Sequence, residues 1–141
     1  RTVDRRYRTL VWGHLESPRG VVDAPIGRSP KHPTKMAVTE KGKLARTGYE
    51  VEASFDEPVV VSELVCKLET GRTHQIRVHL SAIGHPVVGD DRYRGVRESL
   101  RCPRPFLHAE LLGFEHPATG EHLELRSDLP DDLVAVRSLL S

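Results

Sequence analysis

The stretch LETGRTHQIRVHLSAIGHPVVGDDRYRG, running from Leu68 to Gly95, sets arginine, histidine, threonine and glutamine among apolar residues whose regular spacing belongs to a folded, partly buried segment. Burying so many hydrogen-bonding groups costs stability unless each finds a partner, and such density in a small domain points to a site. A strand ending near Leu68, a tight ETGRT turn and a following helix would bring backbone N–H groups together with the side chains of Arg72, Thr73, His74 and Arg77. That junction attracts anions. Gly71 permits an unusual backbone angle or the close approach of another chain. An arginine whose planar fork is held by its neighbours grips a carboxylate or phosphate through two hydrogen bonds. The same residues also admit a plainer use, with Arg77 in a structural ion pair and His74 and His79 as satisfied core residues.

Other chemistries fit less well. His74, His79 and His85 do not follow HExxH, and neither cysteine nor carboxylate stands at ligand spacing beside them, so no metal site is expected. GHPVVGDDRYRG matches neither a Walker loop nor GxGxxG, and no GxSxG elbow occurs. Asp90 and Asp91 could form a carboxylate pair, but adjacent residues point apart, and a surface turn accounts for them more simply. Cys66 and Cys102 form no CxxC pair and are expected to be reduced structural thiols.

The elements that must position these residues are mostly strands. Period-two alternation and β-branched residues predict them at Arg5–Val11, Ala45–Phe55, Val59–Leu68, Phe106–Phe114 and His122–Arg126. Between the first two lies a segment rich in proline, glycine and lysine that reads as turns and a short basic hairpin, at about residues 20–46. HPATGEH marks a second hairpin turn. One helix is predicted over His74–Ile83, with Thr73 as its N-cap, Gly84 at C′ and Pro86 beyond. Ile76, Leu80 and Ile83 form its core stripe, while His74, Arg77 and Ser81 share another face. A second helix follows Pro130, with Leu133, Val136 and Leu140 on one side.

At 141 residues the chain has the size of one domain, and its formal net charge of +1 conceals a polarity. From Arg28 to Arg46 six cations, Arg28, Lys31, Lys35, Lys41, Lys43 and Arg46, face a single acid, Glu40. From Glu110 onward seven acids face two arginines. A basic patch draws a polyanion by releasing its counterions, and an acidic region elsewhere limits indiscriminate sticking. No apolar run is long enough to span a bilayer and no signal peptide is evident, so a soluble, cytoplasmic setting without membrane contact is expected.

LETGRTHQIRVHL followed by GHPVVGDDRY closely resembles the signature of the RluA-type RNA pseudouridine synthases. RRYRTLVWG resembles that family's tyrosine-bearing strand, KLARTGYEV its next strand, and RPFLHAELLGFEHPATGE with LP its closing hairpin. The resemblance implies an α+β fold, a mostly antiparallel mixed sheet with one or two flanking helices, and isomerisation of uridine to pseudouridine in ribosomal or transfer RNA without cofactor or metal. By the same resemblance Tyr7 packs against the flipped base and helps remove the C5 proton, and Arg77 pairs with the catalytic aspartate. Thr70, Gly71, Arg72, Thr73, His74 and Gln75 build the pocket, with Ile76 against the ring. The basic segment is expected to hold the RNA backbone.

The chain departs from the family in one respect. The His-Arg-Leu-Asp segment that carries the nucleophile does not occur, and Asp4, in RTVDRRYR, lacks its context. Residues 1–141 are therefore expected to be the C-terminal part of a catalytic domain, inactive alone, whose Arg77 waits for a carboxylate outside the chain. The alternative is a non-catalytic RNA-binding module that works through the basic hairpin. No protein partner is implied.

Overall fold

The alternating pattern of RRYRTLVWG is realised as a nine-residue strand, β1 (Asp4–Trp12), whose C-terminal half is fully buried. The structure, a computed structural model, describes residues 3–141. Along the chain follow β2 (Arg19–Asp23), β3 (Ile26–Arg28), β4 (Met36–Val38), β5 (Arg46–Phe55), β6 (Val61–Leu68), α1 (Gln75–Ala82), β7 (Leu107–Glu115), β8 (His122–Arg126) and α2 (Asp131–Arg137). Six strands form one sheet in the order β2-β5-β6-β1-β7-β8, and β3 pairs with β4 as a separate hairpin. Every pairing is antiparallel. The α+β architecture implied above is thus present, with its sheet wholly antiparallel.

β1 lies at the centre because its residues are apolar on both sides: Leu10, Val11 and Trp12 are all buried. Side chains of paired residues point to the same face of a sheet. Tyr7 pairs with Cys66, Cys66 with Tyr49, and Leu68 with Thr47, so these residues share one face, and α1 reaches that face through Thr47. Glu63 lies on the opposite face and is met by Arg137 of α2. Leu64, Leu80, Phe106 and Leu133 complete the main core. Full burial of a side chain of this size stabilises the fold by about 1.5–3 kcal/mol.

A smaller core of Ile26, Ala45, Val78 and Tyr93, with Met36 beside it, fastens the β3–β4 hairpin to α1. Gly42 makes this docking possible, because a Cβ there would lie 2.4 Å from the Ile26 carbonyl carbon. The basic segment is therefore held against the signature helix.

Three local expectations change. β2 was not expected; it occupies an edge, pairing only with β5, where a short, turn-rich sequence suffices. α1 is not capped by Thr73. The cap position is His74, in a left-handed conformation with φ 54°, and it makes no side-chain cap bond. Instead the amide oxygen of Gln75 folds back to accept the Arg72 N–H at 3.0 Å. Ile83 leaves the predicted core stripe because it sits at the helix end, where it is exposed, while Val78 and His79 are buried in its stead. The predicted C-terminus holds: Gly84 has φ 89°, its N–H bonds Ser81 O, and His85 N–H bonds Leu80 O. That pair of bonds is a Schellman motif. Among the described residues no helix is long and apolar enough to cross a membrane.

Candidate functional site

The turn after β6 is braced by a chain of hydrogen bonds that consumes several of the predicted pocket residues. Thr70 Oγ1 accepts the Arg46 N–H at 3.0 Å and donates to Gln75 Oε1 at 2.7 Å. Gln75 Nε2 donates to Arg46 O at 2.8 Å and to Thr47 Oγ1 at 2.9 Å. His79 Nε2 lies 2.9 Å from the Ala24 carbonyl, which can only accept, so Nε2 carries the proton and Nδ1 accepts from the Thr47 hydroxyl at 2.8 Å. Burial then holds the His79 imidazole below its ordinary range, a drop that the Ala24 bond only partly offsets. Thr70, Gln75 and His79 are structural braces with their hydrogen-bonding capacity engaged. Ile76 is likewise turned into the main core, 4% exposed, and does not face an open pocket. Gly71 and Thr73 are exposed, and Arg72 is half-buried.

The polar face of α1 converges on one residue that sequence reasoning passed over, Tyr93. Its hydroxyl lies 2.8 Å from His74 Nδ1, its carbonyl accepts from Ser81 Oγ at 3.1 Å, and the Arg77 guanidinium carbon sits 5.2 Å from its ring centre. The His74 imidazole is held below its ordinary value by desolvation, reinforced by Arg77 and Arg92.

Arg77 does not point into an empty hollow. Its Nε and Nη2 donate to Asp90 Oδ2 and Oδ1, each at 2.8 Å. Asp90 is fully buried, which overturns its reading as a surface turn. It also accepts the N–H groups of Arg92 at 3.0 Å and Tyr93 at 3.3 Å, the pattern of an aspartate organising its own turn. The physical reason for the correction is that a buried carboxylate requires a cation, and Arg77 is the one within reach. The bond to Asp90 raises the Arg77 pKa further. The flanking glycines carried the available signal: a Cβ at Gly89 would lie 2.4 Å from Arg104 O, and at Gly95 it would collide with Val87 O. Both mark a tightly packed turn. The Asp90 bond leaves Arg77 Nη1 without a hydrogen-bond acceptor among the described residues.

Tyr7 is half-buried on β1 and packs on the main core. α1 leans mainly on β4 and β5, and among the described residues the side-chain hydrogen bonds of Arg77 go to Asp90, none of them to Tyr7. The cation that the structure sets beside the signature turn on the Tyr7 face is Arg5, two residues upstream. Its Nη1 would lie 2.8 Å from a Cβ at Gly71, and its buried Nε lacks an acceptor among the described residues. Asp4 bonds Arg6 at 3.2 Å on the opposite face, away from Arg5 and Tyr7.

Of the six residues expected to hold RNA, Arg28, Lys31, Lys41 and Lys43 are exposed and Lys35 is half-buried, with no acid bonded to any of these five among the described residues. Arg46 is the exception. Its guanidinium bonds Asp23 at 2.8 Å and Glu69 at 3.2 Å, because β2 and the end of β6 flank it with acids. Cys66 and Cys102 are free thiols; burial pushes Cys66 up to about 12.

Known proteins share this sequence and this fold. The sequence pattern of the RNA pseudouridylate synthase family matches residues 1–82. A ribosomal large subunit pseudouridine synthase D from Nitrosomonas europaea is 50% identical over 96% of this chain and 40% of its own length. An uncharacterized RNA pseudouridine synthase of Bacillus subtilis is 45% identical over 94% of this chain and 43% of its own length. The structure of human RNA pseudouridylate synthase domain containing 1 superposes with a TM-score of 0.81 at 34% identity, covering 99% of this chain and 59% of that one. The chain thus spans about two fifths of the length of these curated relatives.

Proposed function

The chain belongs to the RNA pseudouridylate synthase family, and we propose that the protein carrying it isomerises uridine to pseudouridine in RNA, ribosomal or transfer, in a cytoplasmic setting. In this reaction the bond from ribose C1′ to base N1 breaks, the base turns, and a bond from C1′ to C5 forms. The C5 proton leaves and N1 gains one, so no oxidant, metal or cofactor is required. A uridine must leave its stack to react, and the ring of Tyr7 offers a partial replacement for the lost stacking. In this reading Tyr7 also helps remove the C5 proton.

The reaction requires an ionised, aimed aspartate, and a neighbouring guanidinium favours its charged form. We assign that aspartate to the part of the protein corresponding to the rest of the relatives' length. Its partners in this chain are Arg5 and the remaining Nη1 edge of Arg77, with Asp90 holding the Arg77 fork in orientation. The observation that carries this reading is the Arg5 side chain, a cation whose buried Nε is unmatched among the described residues and which lies beside the signature turn on the same face as Tyr7.

The loss of hydrogen from C5 supplies the test. Full-length protein incubated with ribosomal and transfer RNA tritiated at uridine C5 should release tritium. Tyr7→Phe should slow the release while leaving RNA affinity near wild type, and Arg5→Met should slow it by at least tenfold. Absence of release from every RNA tried, by a folded full-length protein, would defeat the enzyme reading.

A further inference from the structure

Between the β3–β4 hairpin and the signature turn lies a cleft of about 440 Å³ whose walls carry Arg28, Lys41, Lys43 and Arg72, with no carboxylate among its lining residues. Its floor is glycine: Gly27 and Gly42 bring the hairpin backbones together, and Gly71 closes the opposite side. The two guanidiniums are tethered without being neutralised. Arg28 Nη1 donates to Pro33 O at 2.9 Å, and Arg72 Nε donates to Leu44 O at 2.8 Å. A carbonyl fixes the direction of a guanidinium and leaves its charge uncompensated.

Four cations facing one small hollow repel one another, and a single anion seated among them relieves that repulsion. The contrast with Arg46 is informative, since that arginine, a few residues away, is matched by two acids. We propose that this cleft seats one phosphodiester of the substrate RNA, next to the uridine taken into the Tyr7 pocket, with Arg72 and Arg28 as oriented donors and Lys41 and Lys43 as flexible ones. The proposal rests on the RNA-modifying reading above and adds to it a specific backbone subsite. Because the hairpin is docked on α1 through Ile26, Val78 and Tyr93, the phosphate and the pocket are held at a fixed separation.

The test measures binding of a fluorescent single-stranded uridine oligonucleotide to the full-length protein by anisotropy across a salt series. Arg72→Gln should weaken binding about tenfold, the value of one charge-assisted contact, and lower the salt slope by about 0.7. Lys43→Gln, at a side chain with no hydrogen bond or ion pair among the described residues, should also lower the slope. Because the cations share one phosphate, Arg28→Gln should cost less in the Arg72→Gln protein than in the wild type. Arg72→Lys should retain most of the slope. Arg19→Gln, on β2 and outside the cleft lining, serves as control.

If Arg72→Gln and Lys43→Gln, with unchanged thermal unfolding, bind no more weakly than Arg19→Gln, the subsite is wrong. Full additivity of Arg72→Gln and Arg28→Gln would equally overturn a shared phosphate. Tritium release separates this inference from the functional reading. Release with unaffected cleft variants removes only the subsite, whereas absence of release with a reduced slope removes only the isomerase.

Discussion

At the scale of single residues, the decisive finding is the bidentate pairing of Arg77 with Asp90. A guanidinium expected to await a distant carboxylate is already engaged with one that is fully buried. The pair therefore has a structural function whatever else Arg77 does. Removing one member of a buried ion pair strands the other and costs about 3–5 kcal/mol. Arg77→Met should accordingly lower the stability to urea by that order, and the double variant Arg77→Met with Asp90→Asn should recover a large part of the loss, since the stranded charge is gone. The recovery separates the two roles in the full-length protein: stability returns, whereas the proposed uridine isomerisation, to which Arg77 Nη1 was assigned, does not. Arg77→Met as stable as the wild type would show that the pair contributes nothing. The sequence assigned Arg77 a carboxylate outside the chain and hid Asp90, which lies thirteen residues away in a turn that looks polar and exposed until the glycines on either side are seen to be packed.

At the scale of elements, the network from Thr70 through Gln75 and Thr47 to His79 and Ala24 ties the signature turn, α1, β5 and the β2–β3 connection into one unit. The network requires a neutral His79, whose Nδ1 accepts from Thr47. Burial lowers the folded pKa below the ordinary 6.5, so above that value the ring is neutral whether folded or unfolded and the full stability is present. As pH falls through 6.5 and on through the depressed folded value, the unfolded chain binds the proton first and the fold loses stability. His74 is depressed in the same direction and adds to the slope. The melting temperature should thus fall by a few degrees between pH 7 and pH 5, and the His79→Gln variant should show a shallower decline over that range. An identical decline in both proteins would remove His79 from the account. The strands, the hairpins and the polar face of α1 were legible because period-two and helical spacing survive in a short chain. Edge strand β2 was not legible, since a five-residue strand between turns has too little pattern to read. The His74 cap was hidden for a different reason: the cap bond comes from Gln75, a side chain that sequence rules place inside the helix.

At the scale of the whole molecule, the opposition of basic and acidic segments becomes a spatial gradient. The basic hairpin docks on α1 at the β5 side of the sheet, while the acid-rich segment forms β7 and β8 at the other edge and continues into α2, which meets Glu63 of β6. From β2 to β8 there are five strand spacings, roughly 24 Å at about 4.8 Å each. At physiological ionic strength the screening length is about 8 Å, so the acidic edge is electrically remote from an RNA strand on the hairpin; at about 0.01 M salt it is near 30 Å and the edge is felt. Neutralising three exposed acids there, Glu121→Gln, Glu124→Gln and Asp128→Asn, should therefore tighten binding of the uridine oligonucleotide two- to threefold, as an order of magnitude, at about 0.01 M salt and leave it unchanged at about 0.15 M. Variants at the cleft cations should weaken binding at both. The two classes differ because one acts through the long-range field and the other through contact, and contacts survive screening that fields do not. If the acidic-edge variant tightened binding equally at both salts, RNA would have to touch that edge directly, and the polarity along the sheet would not be what orients it.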